Sequence, residues 1–198
     1  MNKVVIASQN KHKLEEIKDI LRDFPLEIYS MDQVGLSNLE IIEDGDTFEE
    51  NSMKKAVEVM KRTNAIAIAD DSGLEVDAID NQPGVYSARF SGEGATDEKN
   101  NQKLLDMLQG IEIEKRDARF VSVISVAFPD GKRLSVRGEC PGVIGFEEKG
   151  NNGFGYDPLF IVLEYNKTFA EIDPQLKNKI SHRANALTKL KKELKEFI

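Results

Sequence analysis

Lys3-Val4-Val5-Ile6-Ala7-Ser8-Gln9-Asn10-Lys11-His12-Lys13-Leu14 stands near the start of the chain, and its reading decides the fold class. The apolar run at 3–7 reads as a short buried strand. Ser8-Gln9-Asn10 breaks it. Leu14, Ile17, Leu21 and Phe24 then recur at helical spacing, which predicts a helix from about Lys11 until Pro25 stops it. A strand passing directly into a helix is the repeating unit of an α/β protein, and the rest of the chain continues the alternation.

Residues 26–29 form a second strand candidate, and 32–46 reads as an acidic loop. Thr47-Phe48-Glu49-Glu50 has the form of a capping box, continued at helical spacing by Met53, Ala56, Val57 and Met60. A strand at 65–69 runs into Asp70-Asp71-Ser72-Gly73; 74–79 is extended, and Asn81-Gln82-Pro83-Gly84 is a turn. Thr96, followed by Asp97 and Glu98, opens a helix that ends at Gly110. Residues 120–128 and 133–137 read as a hairpin around Pro129-Asp130-Gly131-Lys132, and 160–163 as a further strand. Ser181 is expected to cap a last amphipathic helix using Leu187, Leu190, Leu194 and Phe197. There is no repeat, low-complexity tract or flexible linker, and 198 residues suit one domain or two closely packed lobes.

Hydrophobic residues make up 40% and charged residues 31%, a balance that supports a sizeable core and argues against disorder. Cys140 is the single cysteine, which excludes an intramolecular disulfide and fits a reducing compartment. Beside Pro141, with no base partner in view, it reads as a small packing residue and not a nucleophile. The first apolar run is too short for a signal peptide, and no stretch approaches the roughly 20 apolar residues of a membrane span. A cytoplasmic protein without membrane contact is expected. The net charge of −8 argues against a nucleic-acid binder, but not against a small anionic substrate held by a few local cations.

Five segments carry chemistry. Ser8, Gln9, Asn10, Lys11, His12 and Lys13 lie between a strand and a helix, where unpaired N–H groups and the helix dipole favour an anion; a plain helix cap with solvated lysines is the alternative. This is not a Walker A loop, because its glycines are missing. The acidic stretch 40–50 offers a carboxylate such as Glu43 for a cation, or is a solvated loop. Asp70-Asp71 at the end of an apolar strand suits a hard cation, Mg²⁺ or Mn²⁺, or is a turn between strands. Adjacent side chains of an extended segment point opposite ways, so one Asp can face a site while the other supports the turn. Gly153-Phe154-Gly155-Tyr156-Asp157-Pro158 pairs glycines with aromatics that can stack on a nucleobase; the alternative is a Gly/Pro turn with core aromatics. Finally, Lys177 and the pair His182-Arg183 place basic groups where a helix dipole opposes them, which calls for an anionic or carbonyl-bearing partner; surface charges borne at a small cost are the alternative. His12 is the only other histidine, so a His-based zinc site is improbable. Together the segments call for a polyanion, a hard metal and a flat heterocycle, the components of a nucleoside triphosphate complex.

Ser8-x-Asn10-x-x-Lys13, Thr47-Phe48-x-Glu50-Asn51, Ala69-Asp70-Asp71-Ser72-Gly73-Leu74, Pro83-Gly84-Val85-Tyr86-Ser87-Ala88-Arg89, Gly153-Phe154-Gly155-Tyr156-Asp157-Pro158 and Ser181-His182-Arg183-x-x-Ala186 span the chain. In that order they strongly resemble the inosine triphosphate pyrophosphatase family, the dITP/XTP pyrophosphatases. One position departs: Gln9 stands where the family often has Gly. The resemblance implies an elongated α/β fold, with two lobes flanking a long central mixed sheet and an active-site cleft between them. It implies a homodimer that hydrolyses non-standard purine triphosphates (ITP, dITP, XTP) to monophosphate and pyrophosphate.

By motif, the resemblance gives residues 8–13 and Lys55 to the triphosphate, with Arg89 as a further phosphate contact. It makes Asp71 the catalytic carboxylate and a metal ligand, with Glu43 as second ligand to Mg²⁺, for which Mn²⁺ can substitute. Ser72 lies against the substrate. Phe154, Gly155, Tyr156 and Asp157 form one wall of the base pocket, which Lys177, His182 and Arg183 complete. A phosphomonoesterase with an aspartyl nucleophile is a rival reading, but such enzymes space their acids Asp-x-Asp. A nucleotide-sensing or RNA-binding module without turnover is the rival from outside enzymology.

Overall fold

The computed structural model describes residues 2–195, apart from the side chain of Ile20. The elements are β1 (Asn2–Ile6), α1 (Lys11–Leu21), β2 (Leu26–Ser30), α2 (Phe48–Thr63), β3 (Ile66–Val76), β4 (Gln82–Pro83), α3 (Asp97–Met107), β5 (Asp117–Ala127), β6 (Arg133–Ile144), β7 (Phe160–Val162), β8 (Lys167–Thr168), α4 (Pro174–Ile180) and α5 (His182–Leu194). The strands form one open sheet in the order β2-β1-β3-β5-β6-β7-β8, with β4 beside β3. β1 runs parallel to β2 and β3, whereas β3–β4, β6–β7 and β7–β8 are antiparallel. The sheet is therefore mixed, as expected.

Side chains explain the boundaries. Asn10 accepts from the Lys13 N–H at the start of α1, and Thr47 from the Glu50 N–H at the start of α2. Glu50 reaches back to the Asp46 N–H, one residue before the partner that a standard capping box would use. Left-handed Asn64 closes α2. Thr96 caps α3 and Asp173 caps α4, with Pro174 in its first turn.

The chain divides into two compact units. The first comprises residues 1–71, 122–138 and 183–198, and the second 72–121 and 139–182. In the first, the period of two along the strands sorts the core into two layers. Val4, Ile6 and Ile68 join Ile17 and Leu21 of α1 and Leu187, Leu190 and Leu194 of α5. Val5, Ala7, Ala67 and Ala69 join Ala56 and Val59 of α2. In the second unit, Phe120, Phe160 and Phe169 pack together over Leu104 and Leu108.

Four readings are corrected. The first helix ends at Leu21 and not at Pro25, with Phe24 packed beside the core as a loop residue. β3 runs unbroken through Asp70-Asp71-Ser72-Gly73, because buried side chains line both faces of the segment and leave no solvent-facing turn. β5 and β6 extend well beyond the predicted hairpin, to Asp117 and Ile144. Residues 174–180 form a separate helix that amphipathic spacing alone did not reveal, being only two turns long. Phe197 lies outside the described residues.

Candidate active site

Alternation along β3 separates the two aspartates. Asp70 has the parity of Ile68 and meets the α1/α5 layer; Asp71 has the parity of Ala69 and meets the α2 layer. On the first side Asp70 is fully buried. It accepts from the Ser122 hydroxyl at 2.5 Å, lies 2.8 Å from Lys13 Nζ, and receives Arg183 Nε and Nη2 at 3.4 Å each. Burial alone would raise its pKa; Arg183 and Lys13 outweigh that and hold the carboxyl well below the usual carboxylate range. Arg183 also pairs through Nη1 with Glu16. This pairing is the partner that a basic residue in the first turn of α5 required.

On the other side, Lys55 of α2 donates to Asp71 Oδ1 at 3.2 Å and to the Asp70 carbonyl at 2.9 Å, and sits 3.2 Å from Glu43 Oε1. Glu43 and Asp71 hydrogen-bond to each other, so the protonation of each carboxyl depends on the other's. Burial pushes Asp71 up to about 6 against the pull of Lys55 and Lys13, and Glu43 adds to the rise. Burial is the largest influence on Glu43 and raises it, but Lys55, the bond to Asp71 and Lys13 together outweigh it and the net direction is down. The Lys55 ammonium loses by burial and gains more from Asp71 and Glu43, so its pKa is raised.

Glu43 and Asp71 are oxygen donors with shared negative charge, a set that fits Mg²⁺ or Mn²⁺. Among the described residues no three or more His, Cys, Asp or Glu side chains gather, so a cation here would draw its remaining ligands from water and phosphate. The loop at 8–13 is half-exposed to exposed, as an anion site at the start of α1 requires. Gln9 turns away from that helix terminus, its Nε2 donating to the carbonyls of Ser37 and Leu39 in the acidic loop.

The second unit holds the aromatic loop. Asp157 Oδ2 accepts from Lys177 Nζ at 2.7 Å and from the Phe154 N–H at 2.9 Å. Lys177 Nζ lies 5.0 Å from the Phe154 ring centroid. A Cβ on Gly153, at φ +78°, would stand 2.0 Å from Asp157 Oδ2, so only glycine fits there. Tyr156 is buried and its hydroxyl donates to the Ser87 carbonyl at 2.7 Å. His182 stacks on Phe120 with centroids 4.8 Å apart and planes 15° apart. Ser72 is half-buried at the edge of this unit, and exposed Arg89 lies over the Tyr86 ring.

The first unit thus gathers Lys13, Glu43, Lys55, Asp71 and Arg183, with residues 8–12 leading into α1. The second gathers Phe154, Tyr156, Asp157, Lys177 and His182. Sequence reading missed Ser122 and Glu16, whose partners Asp70 and Arg183 are 52 and 167 residues away. The misplaced positive charge of Arg183 was the one signal that pointed to them.

A description of the Ham1 family matches residues 4–193. The chain belongs to the Ham1 family. A dITP/XTP pyrophosphatase of Clostridium perfringens is 49% identical over the whole of both chains. One of Desulfotalea psychrophila is 50% identical, covering 98% of this chain and 86% of its own. Among solved structures, the Staphylococcus aureus Ham1 protein superposes with a TM-score of 0.89 at 40% identity, and a HAM1 protein of Coxiella burnetii with 0.90 at 41%; each match covers 99% of this chain and all of the other. The family resemblance is borne out, and so is the central mixed sheet that it implied; the sheet is open. Among the described residues no helix is long and apolar enough to cross a membrane.

Proposed function

We propose that this chain, a hydrolase of the Ham1 family, converts dITP, ITP and XTP to the monophosphate and pyrophosphate and so clears them from the nucleotide pool. The observation that carries the reading is the division between neighbouring carboxylates. Asp70 is neutralised by Arg183 and Lys13, while Asp71 stands with Glu43 around the Lys55 ammonium, 3.2 Å from an oxygen of each. The dITP/XTP pyrophosphatases of Clostridium perfringens and Desulfotalea psychrophila, about half identical over nearly the whole of this chain, support the substrate class. Two lobes in one domain, a homodimer and a cytoplasmic location complete the proposal.

The triphosphate lies against the first turn of α1, where N–H groups, Lys13 and Lys55 meet its charge. Arg89 is a further phosphate contact and Ser72 touches the substrate. Asp71, when ionised, takes a proton from water as the water oxygen attacks the α-phosphorus in line, and pyrophosphate leaves. Glu43 and Asp71 would hold Mg²⁺, or Mn²⁺ in its place, and the bound cation would draw charge from the phosphate oxygens. Phe154 and Tyr156 wall the base, braced by Asp157 and Lys177. Donors from His182 and nearby backbone N–H groups favour a 6-oxo purine; an adenine amine would face donors and be rejected.

Product analysis tests this. With Mg²⁺, dITP and XTP should yield monophosphate and pyrophosphate at least about 100-fold faster than dATP. Orthophosphate as product, or no turnover of any nucleotide, overturns the proposal. The acid limb gives a second check. Asp71 must be ionised to act as base, and its raised pKa keeps it protonated to a higher pH than an ordinary aspartate. The kcat/KM for dITP should therefore fall as pH is lowered at fixed, saturating Mg²⁺ and Asp71 takes up its proton.

A further inference from the structure

We propose that α3 positions the aromatic loop, with Asp97 and Asn101 as positioning residues for the purine base. The inference rests on the function proposed above for that loop. Asp97 and Asn101 are four residues apart and so share one face of α3. Both reach Gly155. Asp97 Oδ2 accepts from the Gly155 N–H at 2.7 Å, and Asn101 Nδ2 donates to the Gly155 carbonyl at 3.2 Å. Asn101 is buried, and its Nδ2 also donates to Glu148 Oε1 at 2.7 Å, which fixes the direction of the amide.

Gly155 needs such a grip. It has φ +61° and follows left-handed Gly153, so Phe154 stands between two residues of the greatest backbone freedom. Held by Asp157 on one side and α3 on the other, the Phe154 ring keeps a fixed attitude over Lys177. Asn100, next along the helix, donates to the carbonyls of Ser87 and Ala88 and accepts from the Ser91 N–H. Ser87 in turn receives the Tyr156 hydroxyl. One helix therefore secures both ends of the aromatic wall. Without it, ordering of the loop would be charged against each binding event and would weaken base binding. Inorganic triphosphate, which makes no use of the base wall, would bind unchanged.

The experiment compares Asp97→Ala with Asp97→Asn in the full chain. Both remove the charge from the first turn of α3, but Asn keeps an oxygen for the Gly155 N–H. Asp97 is exposed, so both variants should fold. In Asp97→Ala the KM for dITP should rise about tenfold with kcat nearly kept, and inhibition by inorganic triphosphate should not change. Amide exchange in the peptide covering 153–157 should speed up in the same variant. Asp97→Asn should restore both, and Asn101→Ala should repeat the KM and exchange changes. Unchanged loop exchange in Asp97→Ala, or equal losses of dITP and inorganic triphosphate binding, overturns the proposal. If the unaltered protein turns over no nucleotide, the proposed function falls, and the exchange comparison still decides whether α3 holds the loop.

Discussion

Asp71→Asn should lower dITP turnover by about 10²–10⁴-fold while the protein melts at the same temperature or higher at pH 7.5. The rate loss follows from the role of the carboxylate, because an amide cannot accept the proton of the attacking water. The stability result follows from its environment. The folded-state pKa of Asp71 is raised from 3.8 to about 6, chiefly by burial. The fold therefore prefers the neutral acid. The stability from that preference is present below about pH 4 and is lost as pH rises through about 6. At pH 7.5 the ionised group is a burden, and asparagine resembles the neutral form the fold prefers. Stopped-time pyrophosphate assays and a thermal melt check both halves. Near-normal turnover would remove Asp71 from its proposed role.

Asp70→Asn should do the opposite to stability. Asp70 is held well below its usual pKa by Arg183 and Lys13, so its contribution is present above about pH 4 and lost as pH falls through its folded value. Removing its charge leaves a fully buried guanidinium with Glu16 as its remaining carboxylate partner among the contacts described. Breaking a buried pair in this way costs about 3–5 kcal/mol, and Glu16 places the expectation near the lower end. For a chain of this size that corresponds to a melting temperature lower by roughly 6–12 °C. Turnover should fall as well, because Lys13 loses the carboxylate that holds its ammonium. A thermal melt of the variant at pH 7.5 checks the value, and an unchanged melting temperature would show that the Asp70 cluster adds nothing to the fold. Two adjacent aspartates would thus respond to one substitution with opposite changes in stability.

Much of this molecule was legible along the chain. The strand at 3–7, the caps at Asn10, Thr47 and Thr96, and the glycines of 153–155 declare themselves through local rules, because caps and turns are made by residues within a few positions of one another. The six motifs gave the family, and period-two alternation already foretold that Asp70 and Asp71 point apart. What remained hidden depends on distant partners. Sequence left open which aspartate faces which layer, because that depends on α1 and α5 covering one face of β3 and α2 the other. Arg183 was read toward the base, yet its guanidinium is engaged by Asp70, 113 residues earlier. Asp97 looked like an ordinary first-turn acid until Gly155, 58 residues on, was found against it. The sequence by itself determined the elements, the family and the residues able to do the chemistry, since these rest on short-range periodicity and motif. Only the tertiary structure decided which charges neutralise one another and which carboxyls feel each other's charge, because burial and pairing of ions are set by what the fold brings to within about 3 Å.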